Sequence, residues 1–120
     1  MKRTGPTNII IRKLVRELRK ASNRYGVRVW DYVADLLEKP SRKRVAVNLS
    51  KVNRFSSHGE YIVVPGKVLG AGTLKKPVTI AAVSFSRKAL EKIRSAGGSA
   101  IPIAELLRMN PKGSNVRVII

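Results

Sequence analysis

The chain is 120 residues long and 43% hydrophobic, enough to bury a core without disulfides or a structural metal. Its 25 Lys and Arg outnumber 7 Asp and Glu, a formal net charge of +18, and self-repulsion of that size points to a polyanionic partner that neutralises it. The absence of cysteine excludes a disulfide framework, a thiolate nucleophile and a cysteine metal site.

Nucleic acid is the leading polyanion, because Arg and Lys spread over many elements suit a backbone with closely spaced charges. An anionic membrane draws on one amphipathic basic helix with bulky apolar anchors, and here the charge is distributed. The opening "MKRTGPTN" is positive but has no apolar stretch behind it, and no apolar run approaches membrane-spanning length. The expectation is an unexported, cytoplasmic protein with no membrane partner.

Residues 7–25, "TNIIIRKLVRELRKASNRY", read as a helix, with Thr7 as N-cap after Pro6 and Gly26 at the C′ position. Ile10, Leu14, Leu18, Ala21 and Tyr25 recur at intervals of three and four and predict the buried stripe. Arg12, Arg16 and Arg19 line one flank, and Lys13, Lys20 and Arg24 the other. Glu17 could link Lys13 and Lys20 on a solvated face, but six cations against one acid would repel one another without a phosphate partner.

A second helix, about 29–38, turns Trp30, Val33, Ala34 and Leu37 inward, and Pro40 ends it. Its polar face carries Asp31, Asp35 and Glu38 on one stripe. Paired carboxylates can serve a metal or acid–base site. An acidic face turned toward the basic helix or toward a basic neighbour is the stronger reading.

"SRKRVAVNLSKVNRF" gives a basic triplet (Arg42, Lys43, Arg44), a short strand at 45–47 and a short helix capped by Asn48. Such triplets can be nuclear addresses and are also common in any basic chain. "SSHGE", 56–60, is turn chemistry, and its lone His58 has no triad to join.

From residue 61 the texture becomes strand-like. "YIVVP", "KVL" and "VTIAAVSF" are β-branched runs separated by Pro-Gly and by "GAGTLKKP". Gly70 and Gly72 suggest a phosphate cradle, but the third glycine of a dinucleotide turn is replaced by Lys75. Counting from Gly66, a nucleoside-triphosphate loop would need a second glycine where Ala71 stands. A flexible, basic turn is what remains, with glycines giving backbone freedom and Lys67, Lys75 and Lys76 placing charge around the bend.

"SRKALEKIRSAGG" is a helix capped by Ser86 and stopped by Gly97-Gly98, with Ala89, Ile93 and Ala96 inward. Arg87 and Lys88 sit in its first turn, where the helix dipole disfavours cations unless an anion lies between them. "AIPIAELLRMN" is a short helix with Pro102 in its first turn, "NPKGSN" a turn and "VRVII" a closing strand.

These stretches, in this order and spacing, resemble a known family. "VNLSKVNR", "VVPGKVLGAGTLKKPVTIAAVSFSRKALEKI", "AGG" and "NPKG" are similar to the archaeal–eukaryotic large-subunit ribosomal protein eighteen family, a relative of large-subunit ribosomal protein fifteen. The opening "MKRTGPTN" and the first two helices fit as well, so the resemblance spans the chain. It implies a mixed α/β fold, a helical N-terminal part (1–40) before a core of irregular repeated strand-strand-helix turns (41–120), in one domain. It also implies a structural role in the large ribosomal subunit, with large-subunit ribosomal RNA and neighbouring ribosomal proteins as partners. No catalytic residue, cofactor, metal or small-molecule substrate is implied. Eukaryotic members run on with a basic tail, whereas this chain ends at Ile120, the archaeal pattern.

The expected RNA contacts are Lys2 and Arg3; Arg12, Lys13, Arg16, Arg19 and Arg24; Arg42, Lys43 and Arg44; Lys51 and Arg54; Lys67, Lys75 and Lys76; and Arg87 and Lys88. A sequence-independent DNA-binding protein would share this charge. With only six aromatic residues, and Trp30 and Phe85 expected in the core, a single-strand stacking platform is disfavoured against folded RNA. A metal-dependent nuclease would have to rest on Asp31, Asp35 and Glu38.

Overall fold

The β-branched runs of the second half lie side by side as one sheet. The computed structural model describes residues 6–40, 44–57 and 59–120. In chain order they form α1 (Pro6–Tyr25), α2 (Arg28–Leu37), β1 (Val45–Asn48), α3 (Leu49–Phe55), β2 (Tyr61–Leu69), β3 (Thr79–Phe85), α4 (Arg87–Ser95), β4 (Ser99–Pro102), α5 (Ile103–Met109) and β5 (Val116–Val118). The fold is mixed α/β with a helical N-terminal part, as expected, and the strands that follow pair as a parallel sheet.

The strands run in the order β1-β2-β3-β4, every pairing parallel. β5 shares with β1 the outer side of β2, pairing residues 61–63 while β1 pairs 66–69. Pro65 falls between those two stretches, where the register with β3 also shifts between Val64 and Lys67. A proline has no N–H for a ladder and is tolerated at such a bulge. The Pro-Gly that reads as a break between two strands is therefore the irregularity inside one nine-residue strand.

Parallel sheets are covered on both faces. On one face Ile62, Val64, Val68, Ile80 and Ala82 pack against Leu49 and Val52 of α3 and Ala89 and Ile93 of α4. On the other, Val63 and Ala81 meet Ile11, Val15 and Leu18 of α1, Trp30, Val33 and Leu37 of α2, and Ile103 and Leu106 of α5. The N-terminal helices thus share a core with the sheet. The indole of Trp30, wholly buried, donates to the Pro111 carbonyl at 2.8 Å, which joins α2 to the turn before β5.

α1 turns a different stripe inward from the expected one. Ile11, Val15, Leu18 and Ser22 are buried, Leu14 and Ala21 border them, and Ile10 is 65% exposed. Two stripes offset by one position, 10/14 and 11/15, both pass through Leu18, and spacing alone does not choose between them. α1 also begins at Pro6, so Thr7 is inside the helix. Gly26 and Gly97, at φ +67 and +82, stop α1 and α4 in the left-handed conformation.

Two further local readings change. Residues 99–102 form strand β4, so Pro102 closes a strand and stands at the N-cap of α5. Asn48 occupies the N-cap of α3, but its side chain accepts from the Ala71 amide at 3.2 Å and makes no cap bond.

Candidate nucleic-acid interface

Residues 70–78 are the crossover between two parallel strands. Tyr61 pairs with Thr79, so the chain leaving Leu69 must return along the whole of β2 in few residues, which only near-extended backbone allows. It does so between α3 and α4, burying Leu74 and Val78. Hydrogen bonds from both helices pin it. The Ser50 amide donates to the Ala71 carbonyl at 3.1 Å, and the Lys75 amide to Asn53 Oδ1 at 2.9 Å. Lys92 Nζ donates to the carbonyls of Gly70 and Gly72, at 2.7 and 2.6 Å. The flexible turn expected from the sequence is a clamped strap.

The glycines follow from that course. A Cβ on Gly70 would lie 2.7 Å from Lys88 Cβ and 2.9 Å from the Ala89 nitrogen, inside van der Waals contact with the start of α4. Gly72 has φ +89 and abuts Ser50 at the start of α3. Charge is consequently not gathered at one bend. Lys88 is beside Gly70, whereas Lys76 donates through Nζ to the Ser56 carbonyl at the far end of α3.

The expected RNA contacts divide by what their side chains already do. Arg12, Lys13, Arg16 and Arg24 are exposed along α1, on the side away from its buried stripe. Lys51, Arg54, Lys67, Lys75, Arg87 and Lys88 are exposed too. Lys67 stands in register with Ala46 and Ser84, also exposed, so three adjacent strands leave a strip of sheet open beyond the helices. Lys2, Arg3, Arg42 and Lys43, with His58, lie outside the described residues.

Arg19, Arg44, Lys51 and Lys76 have internal work, Lys51 donating through Nζ to the Ile120 oxygen and Lys76 to that of Ser56. The Arg19 guanidinium reaches Asp31 at 3.2 Å, Asp35 at 3.0 Å and Glu38 at 2.6 Å, so the acidic stripe of α2 does face the basic helix. Its pKa is raised above the ordinary arginine value, first by the hydrogen bond to Asp35 and then by Glu38. That engagement occupies the carboxylates a nuclease would need, and no group of three potential metal ligands occurs among the described residues. Arg44 Nε donates at 3.2 Å to the Leu37 carbonyl, at the negative end of α2.

Two structural cations escaped the sequence reading. Lys92 holds the strap, and Arg117 on β5 grips Glu60 at 3.0 Å before β2. Neither pairing has a short-range signature, since the partners are 22 and 57 residues apart. Arg28, Lys39, Arg94, Arg108 and Lys112 are further exposed cations. Among the described residues every ion pair with an Asp or Glu belongs to Arg19 or Arg117. Arg44, Lys51, Lys76 and Lys92 donate to main-chain oxygens, and the other basic side chains of the described residues have no carboxylate partner. No helix among these residues is long and apolar enough to cross a membrane.

The sequence is similar to those of known ribosomal proteins. A family model that covers the ribosomal proteins 50S-L15 and 50S-L18e, together with a 60S member, matches residues 27–101. The large ribosomal subunit protein eL18 of Pyrobaculum aerophilum is 48% identical over 117 residues, 98% of this chain and 96% of its own. Its namesake from Methanopyrus kandleri is 46% identical over 121 residues, covering 97% of this chain and 95% of the relative. That of Methanococcus maripaludis is 44% identical over 119 residues, 99% of each.

Proposed function

The chain belongs to this family of large-subunit ribosomal proteins, and from that premise we propose that it binds and stabilises folded large-subunit ribosomal RNA through Arg and Lys contacts to phosphate. The observation that carries the reading is the exposed side of α1. Arg12, Lys13, Arg16 and Arg24 lie there without carboxylate partners among the described residues, on a helix whose opposite side is already spent on the core. Phosphate contact is what relieves such like-charge crowding. Lys51, Arg54, Lys67, Lys75, Arg87 and Lys88 extend the contact over the sheet and its other face. Arg19 is left out, because its charge is satisfied within the protein. The neighbours in the particle are other ribosomal proteins, and the setting is the cytoplasmic ribosome.

Equilibrium binding to large-subunit ribosomal RNA fragments across a salt series tests this. The log–log slope should be steep, about −0.7 to −0.9 for each phosphate contacted. Replacing Arg12, Lys13, Arg16 and Arg24 with Gln should flatten it by roughly one for each phosphate no longer bound. A wild-type affinity indifferent to salt would overturn the proposal.

A further inference from the structure

The C-terminal part of α1 and the end of α5 border a groove of about 300 Å³ whose walls include Lys20, Arg24, Tyr25, Leu107, Arg108 and Pro111. That volume is at the low end for a small-molecule site, room for one nucleotide-sized group and too little for a length of duplex. Tyr25 is 39% exposed, and the Arg24 guanidinium lies 5.6 Å from the centre of its ring. Lys20, Arg24 and Arg108 are exposed and have no carboxylate partner among the described residues. No acid lines the groove.

These walls combine a stacking surface, an apolar floor and flanking positive charge. An unstacked base uses all three: it stacks on aromatic rings or arginine planes while cations hold its phosphates. Duplex backbone would engage the cations and leave Tyr25, Leu107 and Pro111 idle. An acidic peptide would likewise have no use for the stacking surface.

We propose that this groove receives one unstacked nucleotide of the ribosomal RNA, its base against Tyr25 and Arg24 and its phosphates against Lys20 and Arg108. The proposal rests on the RNA-binding reading above and adds a base-stacking subsite to a surface otherwise made of phosphate contacts.

The test is binding of full-length chains to large-subunit ribosomal RNA over a salt series, with Tyr25→Ala, Tyr25→Phe and wild type, each checked by thermal melting. Tyr25→Ala should bind about 5- to 150-fold more weakly at every salt concentration, with the salt slope unchanged, because stacking releases no counterions. Tyr25→Phe should bind as wild type does. Wild-type affinity of Tyr25→Ala, or an equal loss in Tyr25→Phe, overturns the subsite. So does a defect seen only when neighbouring proteins are present, which would assign the groove to a peptide. A shallow wild-type slope would defeat the phosphate reading itself, whereas a steep slope with a silent Tyr25→Ala defeats only the groove. Should Tyr25→Ala melt early, photocrosslinking of wild type to RNA containing 4-thiouridine decides: an adduct on the peptide holding Tyr25 supports the subsite, and none there removes it.

Discussion

Arg19 of α1 and Asp35 of α2 meet at 3.0 Å, and the same guanidinium also holds Asp31 and Glu38. One cation thereby gathers three of the seven acids in the chain, and the α1–α2 pair is tied on its solvent side as well as through its core. The partners are more than one-third exposed, so each bond alone contributes little and the network matters more than any member.

Arg19→Gln should lower the melting temperature, since it leaves three carboxylates repelling one another along α2. The deficit should shrink in high salt, which screens them. Its effect on RNA affinity should be smaller than that of Arg16→Gln. Melting curves at two salt concentrations with parallel filter binding check both statements, and equal losses of RNA affinity would return Arg19 to the interface.

Two positions of the stripe expected on α1 contrast sharply. Leu18 is wholly buried and Ile10 is 65% exposed. Leu18→Ala should destabilise the protein by about 2–5 kcal/mol. Ile10→Ala should stay within roughly 0.5 kcal/mol, the usual range at the surface. Denaturant titration separates them, and a large loss from Ile10→Ala would restore the 10/14 stripe as the core face.

What the sequence shows of this fold depends on whether a signal is local. The Ser86 cap, which accepts from the Ala89 amide at 3.1 Å, and the Gly97 stop of α4 are legible because residues a few positions apart make them. The inward residues of α2 are legible because only one stripe there is apolar. α1 offers two competing stripes, and the contacts that choose between them come from α2, α5 and the sheet. β4 hides because its four residues run directly into α5 through Pro102. The strap at 70–78 carries turn-like composition, yet its glycines serve close approach to α3 and α4, which only the tertiary course reveals. Of the interface, the excess of charge is plain from composition. Which cations are spent internally, such as Arg19, Arg44 and Lys92, is not.

Lys92 ties α4 to the strap by two short bonds, so Lys92→Met should loosen the strap without emptying the core. A hydrogen bond to a charged donor contributes about 1.5–3 kcal/mol. Amide exchange at Ala71 and Lys75, whose N–H groups bond to Asn48 and Asn53, should therefore quicken by about tenfold or more. Unchanged exchange would mean that the asparagines alone hold the strap.

Glu60 accepts from Arg117 and from the Ser57 amide, and these bonds, the arginine's first, hold its pKa below the ordinary carboxylate value. A group lowered on folding contributes stability above its unfolded pKa and loses it as pH falls through the folded one. Wild type should thus lose stability on acidification through and below the ordinary carboxylate range, and Glu60→Gln should lose less across the same interval. Denaturant midpoints measured from neutral to acid pH give both curves. Parallel curves would mean that Glu60 titrates alike in the folded and unfolded chains.

The start of α4 sets stability against binding. Arg87 and Lys88 are exposed in its first turn, near the positive end of the helix dipole, where a cation costs about 0.3–1 kcal/mol. Ser86 caps one amide there but brings no negative charge. Within the free protein the pair is therefore unfavourable, and an RNA phosphate would reverse that sign by adding an anion to both the cations and the dipole. Replacing both with Ala should leave the free protein as stable or up to about 1 kcal/mol more stable. The same change should weaken RNA binding and make its salt slope shallower by roughly one to two, one for each phosphate that the variant no longer holds. Denaturant melts and salt-dependent binding of the double variant measure the two effects separately. A gain in stability with unchanged RNA affinity would assign this helix start to solvent and confine the contact surface to α1 and the open strip around Lys67.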